Sequence, residues 1–168
     1  VNSATNSFGG AIIAYKSESI MPTVTLVNCT IANNTAEYGG AIYVTGGNLN
    51  IRKTKFDRNY AYNYGGAIAA LYSSVVTIED SIFTNHFSIN DAGGAIYLLN
   101  SQLTSSNSQV YNSTSTFGAA ITSLNSKITL NKFYAENNTA SYEGGAIYAI
   151  YNAITCIEST FISNHARN

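Results

Sequence analysis

The sequence predicts an all-β protein, a right-handed parallel β-helix of about six coils with three short strands in each. Three observations predict it. A Gly-Gly phrase recurs along the chain, a second phrase keeps step with it, and apolar residues fall into columns when the chain is wound on that period.

The Gly-Gly phrase reads FGGAII (8–13), YGGAIY (38–43), YGGAIA (64–69), AGGAIY (92–97), FGAAIT (117–122) and EGGAIY (143–148). Self-similarity at a period of about 25–30 residues is the mark of a solenoid. The second phrase ends at Asn34, Asn59, His86, Ser113, Asn138 and Asn164, at intervals of 25, 27, 27, 25 and 26 residues.

The first strand of each coil follows the glycines and carries Ile12, Ile42, Ile68, Ile96, Ile121 and Ile147. The second carries Val24, Leu49, Val76, Leu103, Ile128 and Ile154. Two residues on it carries Leu26, Ile51, Ile78, Ser105, Leu130 and Cys156. Apolar residues two apart with polar ones between mark strands with one buried face. The step from Leu26 to Cys29 is three residues, which places a corner there. The third strand carries Ile31, Phe56, Phe83, Val110, Ala135 and Phe161. One exchange supports the alignment: small Ala135 is offset by Phe133, which stands in the column of Cys29, Thr54, Ser81, Ser108 and Ser159, so core volume is conserved. Between the second phrase and the glycines the chain reads as an irregular loop of variable length. The glycines themselves read as a backbone device for unusual dihedrals and close approach of coils. A phosphate-binding glycine loop is the rival reading, and context disfavours it, since such a loop precedes a helix and occurs once. At about 4.8 Å per coil the rod is about 30 Å long.

Composition narrows the function classes. The net charge of -1 offers no field for nucleic acid, and charged residues make up only 10% of 168 residues. No apolar run reaches the roughly 18 residues of a membrane span, so this segment is not expected to insert. Asn, Ser, Thr and 13 Tyr supply the polarity. Residues 1–168 read as a single β-helix region, beginning and ending inside the pattern and therefore expected to be part of a longer repeat protein.

GGAI coupled to a strand ending FxxN, as in NCTIANNTAEYGGAIY (28–43) and TKFDRNYAYNYGGAIA (54–69), resembles the repeat of the polymorphic outer membrane proteins of chlamydiae. Similar repeats occur in large surface proteins of protists. The resemblance implies an autotransported or secreted β-helical surface rod with an adhesive role. The chain departs from the family in carrying Ile31, Val110 and Ala135 at the Phe position and in containing no C-terminal barrel.

The candidate chemistry is thin. Carbohydrate-active β-helices need clustered acids and bases. The outward row beside the glycine strand reads Ile13, Tyr43, Ala69, Tyr97, Thr122 and Tyr148, with neither. Charges are placed to pair between coils, as Arg52 with Glu79, Lys53 with Asp80 and Lys132 with Glu158. His86 takes a bend position that Asn fills elsewhere, and its expected duty is to satisfy backbone groups. Cys29 and Cys156 lie in different columns, too far apart for a disulfide, and read as small buried residues. No metal or cofactor site is expected. Sequons begin at Asn28, Asn33, Asn112 and Asn137, and the last three share one exposed bend column suited to N-glycosylation. An outward row of Thr25, Asn50, Thr77, Thr104, Thr129 and Thr155 is what an exposed strand favours.

The expected function is that of a non-catalytic extracellular or cell-surface rod, structural or adhesive, with Tyr43, Tyr97 and Tyr148 as its contact face. Its expected partners are other copies or other extracellular proteins and glycans. The rivals are a filament subunit stacking end to end and a polysaccharide lyase or hydrolase.

Overall fold

The computed structural model describes residues 2–167 and contains strands joined by tight bends, with no helix among the described residues. The strands form four parallel sheets. Sheet I stacks Ser3–Phe8, Thr35–Tyr38, Tyr60–Tyr64, Phe87–Ser88, Thr114–Phe117, Thr139–Glu143 and His165–Ala166. Sheet II stacks Ile12–Tyr15, Ile42–Thr45, Ile68–Leu71, Ile96–Leu99, Ile121–Leu124 and Ile147–Ile150. Sheet III runs from Thr23–Val27 to Ala153–Ile157, and sheet IV from Thr30–Ala32 to Thr160–Ile162. Each internal strand pairs with its counterparts one coil before and one coil after, so the chain is a parallel β-solenoid of about six coils.

The columns read from the sequence are the register of the sheets. Ile68 pairs with Ile42 and Ile96, Val76 with Leu49 and Leu103, and Phe83 with Phe56 and Val110. All of these are buried, and the Phe56 and Phe83 rings stack with centroids 4.5 Å apart. Phe133 is buried beside Ala135, as the volume exchange requires.

The strand count per coil is four rather than three. The segment expected to be a loop before the glycines is the strand of sheet I. Its inward residues are Ala36, Ala61, Ser88, Ser115 and Ala140, all buried. The coil is narrow at that side and admits only small side chains, so the strand lacks the alternation of large apolar residues that marks the other three. Its register shifts between Ala36 and Tyr38 and between Ser115 and Phe117 absorb the variable length.

Apart from the longer connection of residues 16–22, each bend turns on a residue with positive φ, and where the following residue carries a side chain it points inward. At the sheet III–IV bend the turning residues include Asn28, Lys53, Asp80, Asn107 and Lys132, and at the IV–I bend Asn33, Arg58, Asn85, Asn112 and Asn137. This twist carries the next N–H away from the backbone ladder, and a side chain in the adjacent coil accepts it instead. Thr54 N–H donates to Ser81 Oγ at 3.1 Å, and Ser81 N–H to Ser108 Oγ at 3.1 Å. At the next bend Asn34 N–H donates to Asn59 Oδ1 at 3.1 Å and Asn138 N–H to Asn164 Oδ1 at 3.1 Å. At the II–III bend Ser74 and Ser101 N–H donate to Ser101 and Ser126 Oγ. The Asn side chains also reach back one coil, Asn59 Nδ2 donating to the Ile31 carbonyl at 2.9 Å and Asn138 Nδ2 to that of Val110 at 3.1 Å. Buried backbone groups left without partners would cost about 1–3 kcal/mol each, so these columns of small polar residues are structural requirements.

The I–II bend uses glycine alone. Gly9, Gly39, Gly65, Gly93, Gly118 and Gly144 all have positive φ, and a Cβ on Gly65 would lie 2.2 Å from the Ile68 carbonyl oxygen. At the other bends the left-handed residue carries a side chain, Gly46 excepted. Here the chain folds back on itself too closely.

His86 occupies the inward bend column, as expected. Its Nδ1 accepts the Asn59 N–H at 3.2 Å, and its Nε2 makes no well-formed hydrogen bond, although the Phe56 backbone of the preceding coil lies near enough to favour its charged form. Burial holds its imidazole at a pKa of about 4, against an ordinary 6.5.

Two predictions follow from these bends. Gly65→Ala should destabilise the rod in urea unfolding by about 2 kcal/mol or more, against under about 1 kcal/mol for Asn112→Ala, since only the first adds a backbone clash. Equal losses would remove the distinction between the bends. The lowered pKa of His86 means that its neutral form stabilises the fold fully above pH 6.5 and progressively less as pH falls toward 4. Between pH 7 and pH 4, His86→Asn should therefore lose about 2–3 kcal/mol less stability than the parent chain. Parallel pH curves would contradict this.

Candidate functional site

The outer flank of the I–II bend concentrates aromatic residues. The residue before each first glycine forms one row, with Phe8 paired to Tyr38, Tyr38 to Tyr64, and Ala92 bridging Tyr64 and Phe117. The second row is the outward face of sheet II: Ile13, Tyr43, Ala69, Tyr97, Thr122 and Tyr148 in register. From Tyr43 onward, large and small side chains alternate in this row. Each tyrosine leans across the glycine bend onto the ring one coil before it. Tyr43 meets Phe8 at 4.6 Å between centroids, Tyr97 meets Tyr64 at 4.5 Å, and Tyr148 meets Phe117 at 5.0 Å. Glycine permits this approach, because a Cβ on Gly93 would stand 3.0 Å from Tyr97 Cβ. Ala69 and Thr122 are buried in the same row.

The expected contact face of Tyr43, Tyr97 and Tyr148 is therefore only partly open. All three face outward, but Tyr97 is 4% exposed and Tyr43 and Tyr148 are half-buried. The ridge they build with Phe8, Tyr38 and Tyr64 borders a groove of about 310 Å³, which Leu71, Leu99 and the bend residue Tyr72 complete. Tyr72, 55% exposed, and Phe8, 41% exposed, are its open walls. Burial pushes the hydroxyl pKa of Tyr43, Tyr64 and Tyr97 upward; the Asp91 carboxylate raises Tyr64 and Tyr97 further, and Tyr72 raises Tyr43 and Tyr97. These phenols stay neutral and keep their O–H groups. Tyr72 carried no signal in the sequence, because it stands at a bend outside both repeating phrases.

The remaining candidates are dispersed. Asn28, Asn33, Asn112 and Asn137 are exposed bend residues with positive φ, and the last three share one ridge. Arg58 Nε donates to Asn33 Oδ1 on that ridge at 3.2 Å. Of the three expected ion pairs only Lys132 with Glu158 forms, at 3.6 Å and well exposed, which makes it worth little. Arg52 and Glu79 are in register without an ion pair, and Asp80 accepts from Asn107 Nδ2 at 2.7 Å while Lys53 points to solvent. Side chains on a flat sheet diverge into water more readily than they pair. Asp57 pairs instead with Arg58 at 3.0 Å and accepts from Thr84 and Asn85. Burial would raise the Asp57 pKa, but these bonds and the charges of Arg58 and Lys55 together leave it lowered. Both cysteines are free, Cys29 half-buried and Cys156 exposed rather than buried, and the partial desolvation of the Cys156 thiol raises its pKa. The Thr25 to Thr155 row faces outward in sheet III. Among the described residues no three His, Cys, Asp or Glu side chains converge as a metal site.

Comparison with known proteins bears on this geometry. Residues 28–45 and 136–150 match the Chlamydia polymorphic membrane protein repeat. The chain is 34% identical over 182 aligned residues to the probable autotransporter YfaL of Escherichia coli (strain K12), covering 89% of this chain and 14% of that protein. The chain thus spans about one seventh of the relative's length. No solved structure matches it. The first matched segment contains a complete bend column residue, Asn34, and the Gly39 bend, and the second contains Asn138 and the Gly144 bend. These are the elements that set one coil upon the next, and the repeats of this chain are of the polymorphic-membrane-protein type.

Proposed function

We propose that this chain is a non-catalytic stretch of a surface-exposed, passenger-type rod, serving adhesion or spacing, and that its aromatic flank is the contact face. The observation that carries this reading is the open groove between the tyrosine ridge and Tyr72, none of whose lining residues is charged. Neutral tyrosines combine flat apolar area with a polar tip and lose little side-chain freedom on contact, which suits recognition. The type of the repeat and the autotransporter relative support a location at the cell surface.

Antibodies against this segment should label intact cells that carry the parent protein. Substituting Phe8 and Tyr72 by Ala together should weaken attachment of those cells to their target surface by several-fold while leaving the labelling unchanged. Labelling that needs permeabilised cells would overturn the location, and unchanged attachment would overturn the contact face.

A further inference from the structure

We infer that the groove beside Tyr72 is a binding site for a methylated ammonium group, such as a choline headgroup. The inference rests on the contact-face reading, but not on the location of the parent protein. Six of the eight lining residues are aromatic, the other two are Leu71 and Leu99, and none carries a positive charge. A ring attracts a cation through its quadrupole, most strongly where water is excluded. The Asp91 carboxylate does not line the groove but is close enough for its charge to act on Tyr64 and Tyr97, and it adds a negative field to a wall that is otherwise uncharged. Lys16 crosses Gly46 at the bend column of Tyr72, two coils earlier, and does not line the groove.

The lining also selects among cations. An ammonium or guanidinium group with N–H donors would surrender strong hydration to enter a groove floored by leucine, with one carboxylate nearby to replace it. A trimethylammonium group has no N–H to satisfy, presents an apolar surface to Leu71 and Leu99, and retains its charge for the rings. Shape and charge therefore favour the same ligand class.

The test is calorimetric titration of the chain with choline, with its uncharged isostere 3,3-dimethylbutan-1-ol, and with ethanolamine. Choline should bind about threefold to fivefold more tightly than either, within the range that a cation–ring contact supplies at a partly open site. Tyr72→Ala and Asp91→Asn should each weaken choline about fivefold or more. Circular dichroism should show their melting temperatures unchanged, and Tyr134→Ala, on another sheet, should leave binding intact. Equal binding of choline and the isostere, tighter binding of ethanolamine, or no binding of choline would each overturn the inference. Any of these would leave the antibody and attachment outcomes untouched.

Discussion

A parallel solenoid must find a partner for every backbone N–H at the corners as well as along the strands, and this requirement organises the molecule. At the glycine corner the amide after the left-handed residue still meets a backbone carbonyl of the next coil, whereas at the II–III, III–IV and IV–I corners the left-handed residue also turns the next amide out of the sheet ladder. Serine, threonine and asparagine in the following coil accept that amide, and the asparagines donate back to the coil before. The polar columns inside the rod thus do the work that strand ladders do elsewhere, and they carry the register from one coil to the next. Apolar columns fill the volume between them, but hydrophobic packing is tolerant of exchange, as Phe133 and Ala135 demonstrate.

The glycine corner follows a different logic with an outward consequence. Where the chain turns too tightly for any Cβ, the outer surface is left bare, and tyrosines from sheet II lie across it. The same closeness that excludes side chains from Gly93 brings Tyr97 onto Tyr64. The aromatic ridge is therefore a product of the repeat. The groove is local, because Leu71, Tyr72 and Leu99 belong to only two coils.

Much of the fold was legible in the sequence because three of the sheets bury large residues at a period of two, and columns of Ile, Leu and Phe reveal their register. Sheet I was hidden because Ala36, Ala61 and Ser88 look like loop residues until their narrow surroundings are known. His86 was legible as a substitute for Asn because the column fixes its position. The aromatic flank was half legible. The row of Tyr43, Tyr97 and Tyr148 could be read directly, but the burial of Tyr97 depends on a ring one coil away. The groove depends on Tyr72, whose bend position follows no repeated phrase. The interstrand charges misled for a related reason: register fixes where Arg52 and Glu79 start, while solvent decides where their ends go.

The central claim is that side chains at the corners complete the coil-to-coil hydrogen bonding. Residue-resolved amide hydrogen exchange tests it most directly. The amides of Asn34, Thr54, Ser81, Ser101, Ser113 and Asn138 should be protected to the same degree as those of neighbouring strands, since each donates to a side chain in the next coil. Exchange of these amides at the rate of open turns, beside protected strands, would contradict it.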